Sequence, residues 1–508
     1  MTQAKICILI AIVFYLGLVL YIGYRCSKKN KNTDDFYLGG RKLGPFVTAM
    51  SAEASDMSSY LLMGIPGLAY LSGIADAGWT IIGLSIGTYL NFLIVAKKLR
   101  RYSKIADNAI TLPQFFKNRY HDSSNSLLFI AAIVIVVFFI PYTASGFAAC
   151  GKLFSSLFGV NYMAAMIVSA IVIVGYTTLG GFLAASTTDL IQSIIMTIAL
   201  IVVLLFGVNV AGGFDVVLDN ARSLSGYLTM FATHNAADGT SSPYGFITII
   251  STLAWGLGYF GMPHILLRFM AIEDEEKLYI SRRVAIVWVV ISMAVAVLIG
   301  IVGYSMSVQG AIDTLSGADS ETIIVKAADL MSQNGVIMAL IAGIILAGIM
   351  ASTMSTADSQ LLAASSAVSS DLLGEKLKTN DKGGMVAARI TLLVISVFAV
   401  ILARDPNSSV FGIVSFAWAG FGAAFGPVVL FSLFWRRANR FGALAGMVSG
   451  GLMIFVWKYL VRPLGGVWNI YELLPAFVVA CIFIVVVSLA TPAPEQKVLD
   501  EFDLASGK

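Results

Sequence analysis

Glu53 and Asp56 stand three residues apart inside an apolar run long enough to cross a membrane, among Ser51, Ser55, Ser58 and Ser59. A carboxylate near a bilayer centre costs from ~3 to over ~10 kcal/mol, so it persists only beside a wet or ion-bearing cavity. Small polar residues also loosen a helix and free its carbonyls, which is tolerated at membrane depth only where they line such a cavity. The i, i+3 spacing puts both acids on a similar face, where they do not readily ionise together without a cation between them. Hydroxyl, carbonyl and carboxylate oxygens together suit a small hard cation.

A second set of oxygens lies at Ser352, Ser355 and Thr356, whose i, i+3, i+4 spacing gives one helical face. Small hydroxyl residues also serve as packing and hydrogen-bonding positions between membrane helices. A broken polar span and a hydroxyl-lined span in one chain supply two halves of a sodium site of the kind found in transporters with inverted repeats. Asp189 follows Gly180-Gly181-Phe182-Leu183-Ala184-Ala185-Ser186. It reads equally as an interfacial helix-start acid and as a station on a cation's exit path. Trp255 and Tyr259, at i, i+4 in a run with Gly256, Gly258, Gly261 and Pro263, are expected to wall a pocket for a small apolar ring. Tyr142, beside Pro141, is a further candidate for that wall.

The elements that must position these groups are transmembrane helices. Of 508 residues 58% are hydrophobic and 12% charged, against about a quarter charged in soluble domains. At roughly 20 apolar residues per span, thirteen spans are expected near 5–25, 45–71, 76–96, 127–157, 161–180, 187–210, 244–264, 284–308, 335–357, 388–404, 408–434, 440–460 and 470–490. Spans two and seven, both interrupted, head two five-helix halves of opposite orientation, with one helix before them and two after. The divisions are 1–44, first repeat 45–210, second repeat 244–434, two extra helices in 435–490, and a polar tail 491–508 expected to be disordered. Ile110–Lys117 is expected to form a short surface helix. With alternate connections on alternate sides, 26 of the 33 lysines and arginines fall on one side. That places the N-terminus outside and the C-terminus inside. Ile6–Tyr24 exceeds a signal-peptide core and lacks a small-residue cleavage site, so it is expected to remain a helix.

Several kinds of chemistry find no residues to carry them. There is no phosphate-binding G-x-x-x-x-G-K-[ST] loop and no H-E-x-x-H, and the three histidines (121, 234, 264) are far apart. The four cysteines lack C-x-x-C spacing and read as packing thiols. No basic cluster with interleaved aromatics points to nucleic acid. Work must then be drawn from an existing gradient, which leaves a secondary transporter, a channel or a membrane sensor, and no enzyme.

Several long motifs, in order, carry a resemblance. They are D-D-F-Y-L-G-G-R-K-L-G-P-F-V-T-A from Asp34, S-D-M-S from Ser55, G-G-F-L-A-A-S-T-T-D from Gly180, W-G-L-G-Y-F-G-M-P-H from Trp255 and F-A-W-A-G-F-G-A-A-F-G-P-V-V-L-F from Phe416. The chain resembles the sodium:solute symporters, most nearly the bacterial sodium/proline branch, over nearly its whole length. The resemblance implies the leucine-transporter fold, a bacterial plasma membrane location, and entry of Na+ with L-proline, with lipid and no obligate protein as further partners. It implies sodium ligands at the carbonyls of Ala54, Met57 and Ser352 and the hydroxyls of Ser355 and Thr356. Asp56 is implied in sodium coupling and Asp189 in sodium release. Proline contacts are implied at Ser58, Tyr142, Trp255, Tyr259 and Pro263. Glu53 and Ser59 stand where the family pattern leads one to expect glycine, Met262 where it has glutamine and Ser352 where it has alanine. A proton-driven carrier using Glu53 or Asp56, or one for another solute, stays open, as does a sensor or channel.

Overall fold

The computed structural model describes residues 2–28, 37–369 and 381–507. Lys29, Lys31 and residues 34–36 of the first motif lie outside them. Among the described residues nine helices are long and apolar enough to cross a membrane, or ten if one bent pair counts as a span. Three further apolar helices, Tyr60–Ser72, Tyr162–Thr178 and Arg389–Leu402, are shorter.

Two helices are interrupted. Pro45–Asp56 begins with proline at its first turn, where the missing N–H costs nothing, and ends at Met57 (φ −74°, ψ 72°). The chain resumes through a wide turn at Tyr60–Gly64 and the helix Ile65–Ser72. Phe246–Leu253 passes into a tight 3-10 stretch, Ala254–Phe260, and Pro263 starts a new helix, Pro263–Ala271, bent 45° from the first part. Glycine permits this stretch to pack closely: a Cβ on Gly258 would overlap the Trp418 indole, and one on Gly256 the Gly83 carbonyl. The two interrupted helices are tied together at one end. Leu43 N–H donates to Ala271 O (3.2 Å), Glu273 N–H to Leu43 O (2.9 Å), and Arg41 Nη1 to Met270 O (2.7 Å).

The hydroxyl-lined helix Val336–Ser366 is packed by Tyr162–Val210, Gln3–Ser27 and Ser126–Phe158, and is buried without interruption from Ile345 to Ser366. Pro45–Asp56 lies against it and against Leu278–Val308. The core is therefore polar at its centre, where two elements distant in sequence meet.

Several expectations need correction. The tail is ordered: Gln496–Ala505 is a helix whose Val498, Phe502 and Ala505 are buried, because its apolar residues recur at helical spacing against Ala96–Ile105. The third span continues to Ile105, so Lys97, Lys98, Arg100, Arg101 and Lys104 ride on helix rather than loop. Residues 180–186 form no loop; the backbone turns at Gly181 alone (φ 67°, ψ −173°) and is helical on both sides. The connection Ala211–Pro243 holds the helix Phe214–Arg222 and a hairpin of Ala232–His234 with Ser241–Pro243. The short helix is present as Leu112–Arg119, with its Thr111 hydroxyl accepting from Gln114 N–H (3.2 Å), but it is packed inward rather than on the surface, since Leu112, Phe115, Phe116 and Arg119 are buried.

Candidate functional site

The break after Asp56 frees carbonyls. Ser58 N–H turns to Asp56 O (2.8 Å) and Leu61 N–H to Ser58 O (3.0 Å), so Ala54 and Met57 lose the i+4 donors of a continuous helix. The Ser355 hydroxyl crosses from Val336–Ser366 to donate to Ala54 O at 2.7 Å, with Ser352 O a second acceptor 3.1 Å away. Thr356, next on that helix, has a buried hydroxyl with no hydrogen-bond partner. The expected oxygens of Ala54, Ser352 and Ser355 thus touch across the two helices, and the freed Met57 carbonyl lies in the break itself.

Asp56 hangs from the last helical residue. The Tyr259 hydroxyl donates to its Oδ2 in a short hydrogen bond, while Oδ1 has no partner, and both residues are buried. The Tyr142 hydroxyl reaches Asp56 O at 3.5 Å. Ser58 and Pro263, also buried, sit in the two breaks themselves. Trp255 and Tyr259 do not share a face as expected. In a 3-10 stretch with three residues per turn, positions four apart diverge by about 120°. Trp255 stacks on Tyr471 (5.0 Å, 20°) beside Phe411 (5.2 Å), whereas Tyr259 meets Trp418 edge-on at 5.0 Å. Trp418 joins them, since its Nε1 donates to Trp255 O at 2.8 Å.

Asp189 is fully buried and paired with Arg268. Its Oδ2 accepts from the Ser51 hydroxyl (2.6 Å) and from Arg268 Nη2 (3.3 Å). Arg268 Nε donates to Ser51 Oγ (3.0 Å), Nη1 to His264 O (2.8 Å), and Nη2 also to the Ser359 hydroxyl. The Ser359 hydroxyl lies 2.9 Å from Ser355 O and 3.1 Å from Asp358 Oδ1. A continuous polar chain therefore runs from the Ser355 position to Asp189. The sequence reading gives no role to Ser359 or Arg268, because it ends span seven at residue 264. The signal was present: proline at a helix's first turn starts a helix, and that helix carries Arg268 inward.

Among the described residues no three His, Cys, Asp or Glu side chains cluster as a transition-metal site would require. What gathers here is hydroxyl and carbonyl oxygen, with the buried acids Glu53 and Asp56 on the same interrupted helix, the kind of donor set that unwound backbone offers Na+.

The profile of the "Sodium:solute symporter family" matches residues 36–450. "Sodium/proline symporter 2" of Staphylococcus saprophyticus is 40% identical over 503 residues, covering 97% of this chain and 95% of the relative. The "Sodium/proline symporter" of Haemophilus influenzae is 42% identical over 506 residues, covering 98% and 97%. Among solved structures, the substrate-bound outward-open state of a Na+-coupled sialic acid symporter aligns with a TM-score of 0.77 at 18% identity, over 96% of this chain and 99% of that one. Mhp1, a nucleobase-cation-symport-1 transporter, aligns with a TM-score of 0.52 at 12% identity, over 93% and 99%. These two share the fold.

Proposed function

The chain belongs to the sodium:solute symporter family, and from that membership we propose that it imports L-proline together with Na+ by alternating access. The reading takes the three shorter apolar helices as spans, giving thirteen. They comprise two inverted five-helix repeats with one helix before and two after, in a bacterial plasma membrane, with the N-terminus outside. The observation that carries it is the 2.7 Å contact of the Ser355 hydroxyl with the freed Ala54 carbonyl.

Sodium enters between these groups, and the Ser355 O–H, keeping its proton, rotates out of its hydrogen bond to the Ala54 carbonyl. The carbonyls of Ala54, Met57 and Ser352 and the hydroxyls of Ser355 and Thr356 face the ion, and Ser355 turns its lone pairs toward it. Asp56, held by Tyr259, supplies compensating negative charge one residue from the Met57 carbonyl. The ion bridges the two helices and fixes the backbone between Met57 and Ser59. Proline then docks on Ser58, Tyr142, Trp255, Tyr259 and Pro263, its charged ends meeting freed backbone groups and its ring packing on aromatics. The chain Ser359–Arg268–Ser51–Asp189 offers the departing ion a polar route toward the inner side.

One charge moving through 100 mV yields about 2.3 kcal/mol, and a tenfold sodium gradient adds about 1.4 kcal/mol. Together they support accumulation of several hundredfold. The test is uptake of labelled proline into proteoliposomes with and without a sodium gradient, with a panel of competing solutes. Uphill uptake that needs sodium and is displaced first by proline is expected; uptake indifferent to sodium would overturn the coupling.

A further inference from the structure

Tyr471 reaches the proposed cargo wall from outside both repeats. It stands two residues before the helix Leu473–Ala490 and beyond residues 36–450, the stretch that the family profile matches. Its ring stacks on the Trp255 indole, with centroids 5.0 Å apart and planes 20° apart, and both side chains are buried.

The Tyr471 ring is tethered at both ends. Its N–H donates to the Ser251 hydroxyl at 2.6 Å, and its own hydroxyl donates to Ser415 O at 2.7 Å. Ser251 belongs to Phe246–Leu253, which leads into Trp255, and Ser415 to Val410–Phe434. Glu472, the next residue, is buried and accepts from Arg462 Nη1 at 3.0 Å, which fixes the backbone there. A tyrosine has two side-chain torsions, and holding both its backbone and its hydroxyl sets both.

Trp255 has no such anchor of its own. It lies in the 3-10 stretch Ala254–Phe260, next to Gly256. Such a stretch has poor hydrogen-bond geometry and glycine adds backbone freedom, so packing must set the indole's orientation. Two further rings touch it. Phe411, at 5.2 Å, is only partly buried and carries no polar group. Trp418, at 6.4 Å, binds the Trp255 carbonyl and not its ring. The tethered, stacked ring is Tyr471.

We infer that Tyr471 is a positioning residue for cargo specificity: it holds the Trp255 indole in one orientation and so sets the size of ring that the pocket admits. The inference rests on the reading of Trp255 as a cargo wall and deepens it, since a segment outside the repeats then tunes selectivity. A wall held rigid rejects one added methylene, whereas a loosened wall yields to it.

The test has two readouts. The first needs no cargo. Protein labelled with 5-fluorotryptophan is observed by 19F NMR in detergent, with the Trp255 signal identified by its loss in Trp255→Phe. One Trp255 signal is expected in the wild type, and a split or broadened one in Tyr471→Leu. The second is uptake in proteoliposomes. Tyr471→Leu should raise the proline KM about tenfold, the most that an aromatic pair is worth, with kcat nearly unchanged. Competition by pipecolate, the six-membered homologue, should strengthen at least about threefold relative to proline. Tyr471→Phe, which keeps the stacked ring, should recover most of each change. A single unbroadened Trp255 signal in Tyr471→Leu, or an unmoved pipecolate-to-proline ratio, overturns the inference. Should Tyr471→Leu fail to fold, Ser251→Ala, which frees the Tyr471 N–H, carries the same expectations and the same power to overturn. A wild type that imports another solute in place of proline overturns the proline reading alone; the fluorine signal still decides this one, with the competition ratio read on that solute and its one-carbon-larger homologue.

Discussion

The Tyr259 hydroxyl donates to Asp56 across 203 residues of sequence, joining the breaks of the two interrupted helices through one hydrogen bond. Tyr259 is thereby a positioning residue for the acid as well as a candidate wall for the cargo. A hydrogen bond to a charged group contributes about 1.5–3 kcal/mol. Tyr259→Phe should therefore weaken sodium binding at least about tenfold in the absence of proline, read by tryptophan fluorescence during sodium titration. A residue that only walls the cargo pocket would leave that titration where it was.

Arg268 and Asp189 form a buried ion pair completed by Ser51 and Ser359. Removing one member of such a pair costs about 3–5 kcal/mol because the other charge is left uncompensated. Arg268→Met alone should lower the melting temperature in detergent sharply. The double variant Arg268→Met/Asp189→Asn should recover much of the loss. Equal melting of single and double variants would show that the pair does not set stability.

Asp122 precedes the helix Ser126–Phe158 and lies outside the membrane spans. Burial pushes its carboxyl up, but hydrogen bonds from the Ser124 hydroxyl and N–H, the Ser126 hydroxyl and Leu127 N–H outweigh this and hold it below its ordinary value. A carboxyl whose folded value is depressed stabilises fully above its unfolded value, about 3.9, and loses that contribution as pH falls through the folded value. Asp122→Asn should melt earlier than the wild type at pH 7, and the gap should close below about pH 4.

Phe502 docks the terminal helix, with its ring 6.4 Å from that of Tyr102 and 5.2 Å from the Arg119 guanidinium carbon. Burying such a side chain is worth about 2 kcal/mol. Phe502→Ala should release the helix Gln496–Ala505, seen as new protease cleavage after Thr491 with the remaining fold intact. Unchanged protection would mean that the His121–Glu501 hydrogen bond and the Arg436–Asp503 ion pair suffice to hold it.

Residue pattern alone specifies the membrane-embedded helical class and the places where helices must break. Apolar length, buried carboxylates and clustered glycine and proline are local properties, and each acts within a few residues of where it is written. It likewise placed Ser352, Ser355 and Thr356 on one face, since helical spacing alone does that. The tertiary structure decided what those groups meet: that Ser355 reaches Ala54, that Tyr259 takes one oxygen of Asp56, and that Arg268 turns inward to Asp189. It also separated Trp255 from Tyr259, because the stretch between them winds as a 3-10 turn under close packing against Trp418. Pairings between residues hundreds of positions apart depend on how helices cross, and no local pattern encodes a crossing.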